Sequence, residues 1–537
     1  MFIILKSGLL KSIYKIKDSS LRITILIILF GFVIRLFSFC YTHIVNPDGV
    51  LYIHQARAIY YGLKDSVLGC SLSFLSNYPI LIVPAYKIFG DWVIAARSVS
   101  ILFGTLTLIP LYLLLRKFVE RQITQLAILI FSLIPFLVDS SVDVVRDPLY
   151  WFFSSLGLYL FVHQIERKSY LYLALSNLSF LMAAWARIEA ILFILASLGF
   201  IPFIKRRGRI QELSVFAMPI ALFLLAGMFG LMIAEMPVKN FLRSDEMITK
   251  IEGPLVAYKQ LRKNLANLAS KPSEDNMPAF FQKARNLVWL TAVGTVFSYI
   301  VRAFFYPFFL IFLIGLGGIW RRIRGDIRLE YLSLLSILSL ILLLIHAVHT
   351  WTMFNRFCAV FILPSFVIIG FGLKRIINFV KAWIHVPELA IVSILCALIL
   401  ASAVPKNLKQ READKLVFKE IGSLLAEKEG NNKVISIGAV SLVVSGWVSF
   451  YANLEFQGAP CPRESGNLMG NIGNSYEEFV TNLRSQGIRY FVWEEKRWPK
   501  ETFDFIKAHT QEDFHKIGVW KHSDTGKMVL FELIWPK

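Results

Sequence analysis

"LRITILIILFGFVIRLFSFCYTHIVNPDGVLYIHQARAIYYG", Leu21–Gly62, decides the reading of this chain. Its first half is an apolar run of about 20 residues, long enough as a helix to cross roughly 30 Å of hydrocarbon. An acidic residue, Asp48, follows where the run ends, and a Tyr-rich stretch follows that. The acid has two readings. As an N-cap it accepts a backbone N–H from the helix it opens. As a functional group it is a general base or metal ligand held where a membrane-embedded substrate meets water. In the stretch after it, Tyr52, Ala56 and Ile59 or Tyr60 fall on one helical stripe, with Gln55 and Arg57 off it. That pattern predicts an interfacial helix.

Runs of the same kind recur along most of the 537 residues. The chain is 56% hydrophobic and only 18% charged, with a mean hydropathy of +0.58. A soluble chain of this length carries more charge. The expected fold is a polytopic α-helical membrane protein with about 11 transmembrane helices, N-terminus inside and C-terminus outside. The spans fall near 22–42, 92–114, 122–138, 148–165, 170–186, 188–204, 212–234, 302–320, 330–348, 357–373 and 386–404. Starting inside, the inner loops then hold Arg116-Lys117-Arg121, Glu166-Arg167-Lys168, Lys205-Arg206-Arg207-Arg209, Arg321-Arg322-Arg324-Arg328 and Lys374-Arg375-Lys381. All five are basic, so span count and orientation support each other, and the net charge of +20 reads as topology. No basic-aromatic surface motif supports binding to nucleic acid.

Residues 1–404 form the membrane domain, with outer loops at 43–91 and 235–300. Residues 405–537 read as a soluble outer α/β domain. There "KVISIGAV" and "IRYFVWEE" have strand character, "SYEEFVTNLRSQG" and "KETFDFIKAH" helix character, and "HSDTG" marks a hairpin between "FHKIGVW" and "KMVLFELIW". No glycine-rich phosphate loop opens this domain. The five cysteines form no CxxC pair, so they do not suggest zinc. The topology puts Cys70 and Cys461 outside, where a disulfide between them is allowed but not fixed by sequence.

Charges at the outer membrane face carry the remaining signal. Asp139, Asp143 and Asp147 are spaced i, i+4, i+8 and would share one face of a continuous helix. Three such carboxylates repel unless a cation intervenes, and Asp143 with Asp147 would suit Mg²⁺ or Mn²⁺. Asp147-Pro148 also has the form of an N-cap with Pro at the first helical position. Arg187 and Glu189 stand between two apolar halves, where charges are paired or near water. His346 and His349 are i, i+3 but lack a third metal ligand nearby in sequence. Arg356, next to them, offers a guanidinium suited to a phosphate or pyrophosphate group.

In "PDGVLYIHQARAIYYG", "RDPLYWFF", "ARIEAIL" and "NRFCAVFILPSFVIIGFG", taken in this order, the chain resembles the C-type membrane glycosyltransferases. It is similar to the protein O-mannosyltransferases and lipid A aminoarabinose transferases, and to their bacterial family-39-like relatives. The resemblance implies an enzyme of the cytoplasmic membrane that moves a sugar from a polyprenyl-phosphate donor to a lipid, glycan or protein acceptor on the outer face. It implies Asp48 as the base on the acceptor, Asp147 at the same cavity, and Arg356 with Arg187 facing the donor phosphate. One departure stands out: "SNYPIL", Asn77-Tyr78-Pro79, occupies the place where many relatives have Glu-Lys-Pro. The WWDYG-type motif of the oligosaccharyltransferase branch is absent. A lipid-linked glycan transporter or flippase and a non-catalytic membrane scaffold are the competing readings. A transporter should show internal repeats and mid-membrane charges, whereas the charges here sit at span ends.

Overall fold

The computed structural model describes residues 19–204, 209–234, 244–270, 277–384, 386–463, 468, 472–499 and 502–535. The basic run Lys205-Arg206-Arg207 and the start of the second outer loop lie outside them. The chain divides into two compact units.

The first unit, Met1–Phe37 with Ile101–Ser141 and Arg146–Leu408, is helical. Six helices among the described residues are long and apolar enough to cross a membrane: Leu21–Cys40, Trp92–Leu115, Arg209–Phe229, Met277–Phe304, Ile327–Thr350 and Glu388–Asn407. Two bent pairs bring the number to eight: Arg121–Leu133 with Pro135–Val142, and Asn355–Ser365 with Val367–Trp383. The expected spans near 170–186 and 188–204 are helical but short. They are separated at Arg187, whose backbone is extended (φ −141°, ψ 124°).

One expected span is displaced. Instead of a helix over 302–320, Met277–Phe304 is a single 28-residue helix, and Phe305 (φ +67°) ends it before the short helix Tyr306–Leu316. The polar residues Gln282, Lys283 and Arg285 cluster near one end. They suggest a surface segment, but the run from Leu287 to Val301 carries no charge. Met277–Phe304 is thus long and apolar enough to cross a membrane.

The second unit joins Ser38–Ser100 and Val142–Val145 to Lys409–Lys537, so the segment after the first long helix and the C-terminal tail are one body. Its sheet has the order β1-β2-β4-β3, with β1 Ile437–Ala439, β2 Tyr490–Glu494, β3 Phe514–His522 and β4 Gly526–Leu533. β1 and β2 are parallel, and the other pairs are antiparallel. Phe491 stands opposite Phe531 and packs with Phe479, Phe505 and Phe514 into the core. The hairpin lies where "HSDTG" put it, but "KETFDFIKAH" yields only the turn of helix Phe505–Ala508.

The helix Pro47–Tyr60 is not interfacial. Gly49–Ala58 are all buried, including Gln55 and Arg57. Polar side chains at such positions need partners. Gln55 Nε2 donates to the carbonyls of Val67 and Phe74, at 2.9 and 2.8 Å. Arg57 donates to the carbonyls of Gly458 (2.7 Å), Asn453 (3.0 Å) and Phe456. A helix buried on all sides need not be amphipathic, because its polar groups are satisfied by the surrounding backbone. The disulfide Cys70–Cys461 joins the same two segments, with Cα atoms 5.2 Å apart. Removing it by Cys461→Ala should cost about 2–4 kcal/mol, read as a lower melting temperature that reductant produces in wild type but not in the variant.

Glu494 is fully buried at the end of β2. Its Oε2 accepts the Ser441 N–H at 2.8 Å, and its Oε1 has no partner among the described residues. Burial pushes its carboxyl up to about 7. The folded form therefore holds a proton that the unfolded chain releases near pH 4.3. Stability falls as pH rises across that interval, by roughly 3 kcal/mol in full. Glu494→Gln keeps the acceptor without the charge. It should raise the melting temperature at pH 8 and leave it nearly unchanged at pH 4; equal effects at both pH values would contradict this.

Candidate active site

In the first unit the break at Arg187 creates the central feature. The helix Tyr170–Ala186 ends there and a 3₁₀ turn, Ile188–Ala190, begins. The extended residue swings its guanidinium into the interior, where it is 7% exposed. Asp147, 1% exposed, opens the helix Asp147–Arg167 and meets it, Oδ1 to Nη1 at 2.6 Å. Glu189 takes the other edge, accepting Nη2 at 3.2 Å and Nε at 3.3 Å. Lys250, from the helix Ser244–Ala269, reaches Glu189 at 2.9 Å and its own Glu246 at 3.1 Å. Charges thus alternate along Asp147, Arg187, Glu189, Lys250 and Glu246. Buried charges persist only when paired this completely.

Beside this chain of charges lies a recess of about 560 Å³, counting the part open to solvent. Tyr150, Arg187, Glu189, Lys250, Pro254, His346, His349, Arg356 and Phe357 are among its lining residues. Ile327–Thr350 supplies both histidines from its last two turns, and the 3₁₀ turn Asn355–Cys358 supplies Arg356. The Phe357 ring is shared by two guanidinium groups, Arg187 at 5.0 Å and Arg356 at 5.6 Å. His346 meets its edge at 4.7 Å and leaves Nε2 without a partner among the described residues. Gly253 lets the Ser244–Ala269 helix close against His349: a Cβ there would stand 2.5 Å from Nε2.

The electrostatics follow from which groups are engaged. Arg187 spends three of its N–H donors on carboxylates, holding the wall together, and also lines the recess. The carboxylates are likewise engaged. Arg187, Lys250, Arg356 and the two histidines line the recess, and guanidinium and ammonium groups so placed favour an anion with several oxygens.

The second unit holds Asp48. The cap expected of it belongs to Asn46, whose Oδ1 accepts the Asp48 N–H at 2.9 Å, with Pro47 at the first helical position. The half-buried Asp48 carboxylate sits in the first turn, where the helix dipole favours its charge. Asp143 accepts the N–H groups of Asn46 (3.1 Å) and Val144 (2.8 Å). Burial raises its carboxyl above the usual range, against the pull of Arg97. The single acidic face expected of Asp139, Asp143 and Asp147 does not form, because one helix ends at Val142 and the next begins at Asp147. Asp143 and Asp147, expected to hold a divalent cation, are committed to backbone N–H groups and to Arg187 respectively. No group of three His, Cys, Asp or Glu side chains suited to an ion occurs among the described residues. Tyr78, where relatives carry a charge, is a packing residue: its hydroxyl donates to Ala96 O at 2.9 Å and lies 2.8 Å from Ser100 Oγ.

Sequence reasoning missed Lys250 and Glu246. They come from the polar helix Ser244–Ala269, with Lys250 61 residues beyond Glu189, and the helical spacing of apolar residues there pointed to the helix but not to these charges.

Residues 78–231 match the family model of dolichyl-phosphate-mannose-protein mannosyltransferase. No curated protein sequence matches the chain. Among solved structures, ArnT from Cupriavidus metallidurans bound to undecaprenyl phosphate is similar over 94% of this chain and 97% of its own (TM-score 0.55, 12% identity). The oligosaccharyltransferase AglB from Archaeoglobus fulgidus, with an inhibitory peptide and a dolichol-phosphate, is similar over 89% and 69% (TM-score 0.56, 12% identity). The same enzyme with Zn and sulfate is similar over 94% and 72% (TM-score 0.55, 13% identity). At these identities the likeness is one of fold. Residues 78–231 and the shared fold are thus similar to those of C-type membrane glycosyltransferases.

Arg187→Met should destabilise the first unit by about 3–5 kcal/mol, because it strands Asp147 as a buried unpaired charge. Adding Asp147→Asn should recover part of the loss. Melting of the purified single and double variants checks this; equal melting temperatures for the two would contradict the pairing.

Proposed function

We propose that this chain is a glycosyltransferase that moves a sugar from a polyprenyl-phosphate donor to an acceptor on the outer face of the cytoplasmic membrane. The observation that carries the reading is the recess lined by Arg356, Lys250, His346 and His349 within a helical membrane unit. Its cations suit the phosphate of a lipid carrier, and its apolar walls, Leu342, Leu343 and Val360, suit the start of the chain. The fold shared with a structure that holds undecaprenyl phosphate supports the same donor class. A disulfide in the second unit supports an outward location, since such bonds persist in oxidising compartments.

The chemistry is displacement at the anomeric carbon. Asp48 takes the proton from the acceptor hydroxyl as its oxygen bonds to that carbon. The bond from the carbon to the phosphate oxygen breaks, and its electron pair leaves with the lipid phosphate. Arg356 and Lys250 stabilise the charge gathering there. Arg187, Asp147 and Glu189 act through position, holding Lys250 and the Phe357 wall in place. Asp48 is assigned as base on the resemblance, with its half-buried carboxylate in the first turn of the Pro47–Tyr60 helix.

The test measures turnover of a panel of radiolabelled polyprenyl-phosphate sugars by detergent-purified wild type, Asp48→Asn and Arg356→Gln. Asp48→Asn should lower kcat by about 10²–10⁴-fold while undecaprenyl phosphate binds as before. Arg356→Gln should weaken that binding by roughly 10–100-fold. Wild type that neither binds the carrier nor turns over any donor would overturn the reading; equal turnover by Asp48→Asn would remove its role as base.

A further inference from the structure

The reaction above leaves one side chain of the recess beside Arg187 without a role. Tyr150 lies near the start of the helix Asp147–Arg167, three residues after Asp147 and so on the same side of it. It lines the recess together with Arg187, Glu189, Lys250 and Arg356. It is 2% exposed, yet its hydroxyl has no hydrogen-bond partner among the described residues. Ser154, one turn on, comes near it, but the two hydroxyls do not meet in the geometry of a hydrogen bond, and Ser154 Oγ is likewise without a partner among those residues.

Three features separate Tyr150 from an ordinary core tyrosine. First, buried hydroxyls are as a rule paired, and others in this chain are. Tyr78 Oη donates to Ala96 O at 2.9 Å, Tyr331 Oη lies 2.7 Å from Ser197 Oγ, and Tyr451 Oη accepts the Val45 N–H at 2.9 Å. Second, the charged groups that act on the Tyr150 hydroxyl are Glu189, Arg187 and Asp147. The hydroxyl end therefore stands by the ionic wall of the recess, whose members are engaged with one another. Third, the ring is fixed. It stacks on Phe193 with 6.4 Å between centroids and 6° between planes, so the hydroxyl is held where it stands.

The chemistry selects the ligand atom. An anionic oxygen can only accept, and a phenol has one O–H to donate. The cations that line the recess draw an anion with several oxygens to this wall. A hydroxyl already out of water loses no hydration when that anion reaches it, so the bond appears in full as affinity.

Resting on the transferase reading, we propose that Tyr150 is a further phosphate-binding residue of the carrier site, its hydroxyl donating to a phosphate oxygen. Binding then satisfies a group that folding leaves unpaired. The hydroxyl thus has opposite effects on the free and the bound protein.

The test uses full-length protein in detergent, with radiolabelled undecaprenyl phosphate and neutral undecaprenol as probes. Tyr150→Phe keeps the ring and its stacking and removes only the hydroxyl. It should weaken binding of undecaprenyl phosphate about tenfold or more and leave binding of undecaprenol unchanged. Without ligand it should melt no lower than wild type, since it carries no unpaired buried hydroxyl. Ser154→Ala should bind both probes as wild type does. An equal loss for both probes, or a lower melting temperature of ligand-free Tyr150→Phe, would mark a packing role and overturn the assignment. Unchanged binding of undecaprenyl phosphate would overturn it as well; this probe bears no sugar, so a contact to the donor's sugar cannot stand in for one to the phosphate. The two ideas fail differently. If the transferase reading is wrong, wild type binds no undecaprenyl phosphate and turns over no donor. If only the Tyr150 assignment is wrong, wild type does both and Tyr150→Phe binds the phosphate equally well.

Discussion

The first unit depends on the complete pairing of Arg187. A guanidinium this deeply buried is tolerable only if its donors find acceptors, and Asp147 and Glu189 supply them from two sides. That demand explains why the backbone breaks at residue 187. A continuous helix would carry the side chain around with its neighbours, whereas the extended residue aims it at the start of the Asp147 helix. Glu189 then passes the pairing to Lys250, and so ties the outer helix Ser244–Ala269 to the wall of the recess. The ionic chain engages the carboxylates beside the recess that Arg356 and the two histidines line.

In the second unit the equivalent constraint is the burial of a helix with polar residues. Pro47–Tyr60 hides Gln55 and Arg57 because loop carbonyls from residues 67–74 and 453–458 surround it. The sheet of the tail and the first outer loop therefore fold as one body, and their disulfide adds a covalent tie. The cost of this arrangement is visible at Glu494, a carboxyl buried from solvent with one acceptor oxygen unmatched among the described residues.

Much of this was legible from residue pattern. Apolar runs announce the helices, since bilayer thickness sets their length, and "HSDTG" announces the hairpin through its turn chemistry. The motifs at Asp147, Arg187 and Arg356 lie along or beside one recess. What failed did so for physical reasons. Periodicity cannot tell an interfacial helix from one buried among carbonyls, so Pro47–Tyr60 was read as lying at the surface. Spacing of i, i+4, i+8 implies a shared face only within one helix, and the Asp139–Asp147 stretch spans a break. Lys250 was out of reach because its partner is distant in sequence and its own helix is polar. Asn46 took the cap that Asp48 also fits, a choice that depends on two residues of helix register.

The central claim is that the recess beside Arg187 receives the phosphate of a polyprenyl carrier. The most direct measurement is photo-crosslinking with undecaprenyl phosphate that bears a diazirine next to the phosphate, with adducts mapped by mass spectrometry. The account predicts adducts confined to the Lys250–Pro254 and His346–Phe357 segments and suppressed by excess unlabelled undecaprenyl phosphate. Adducts spread over lipid-facing helices such as Leu21–Cys40, unaffected by competitor, would contradict it.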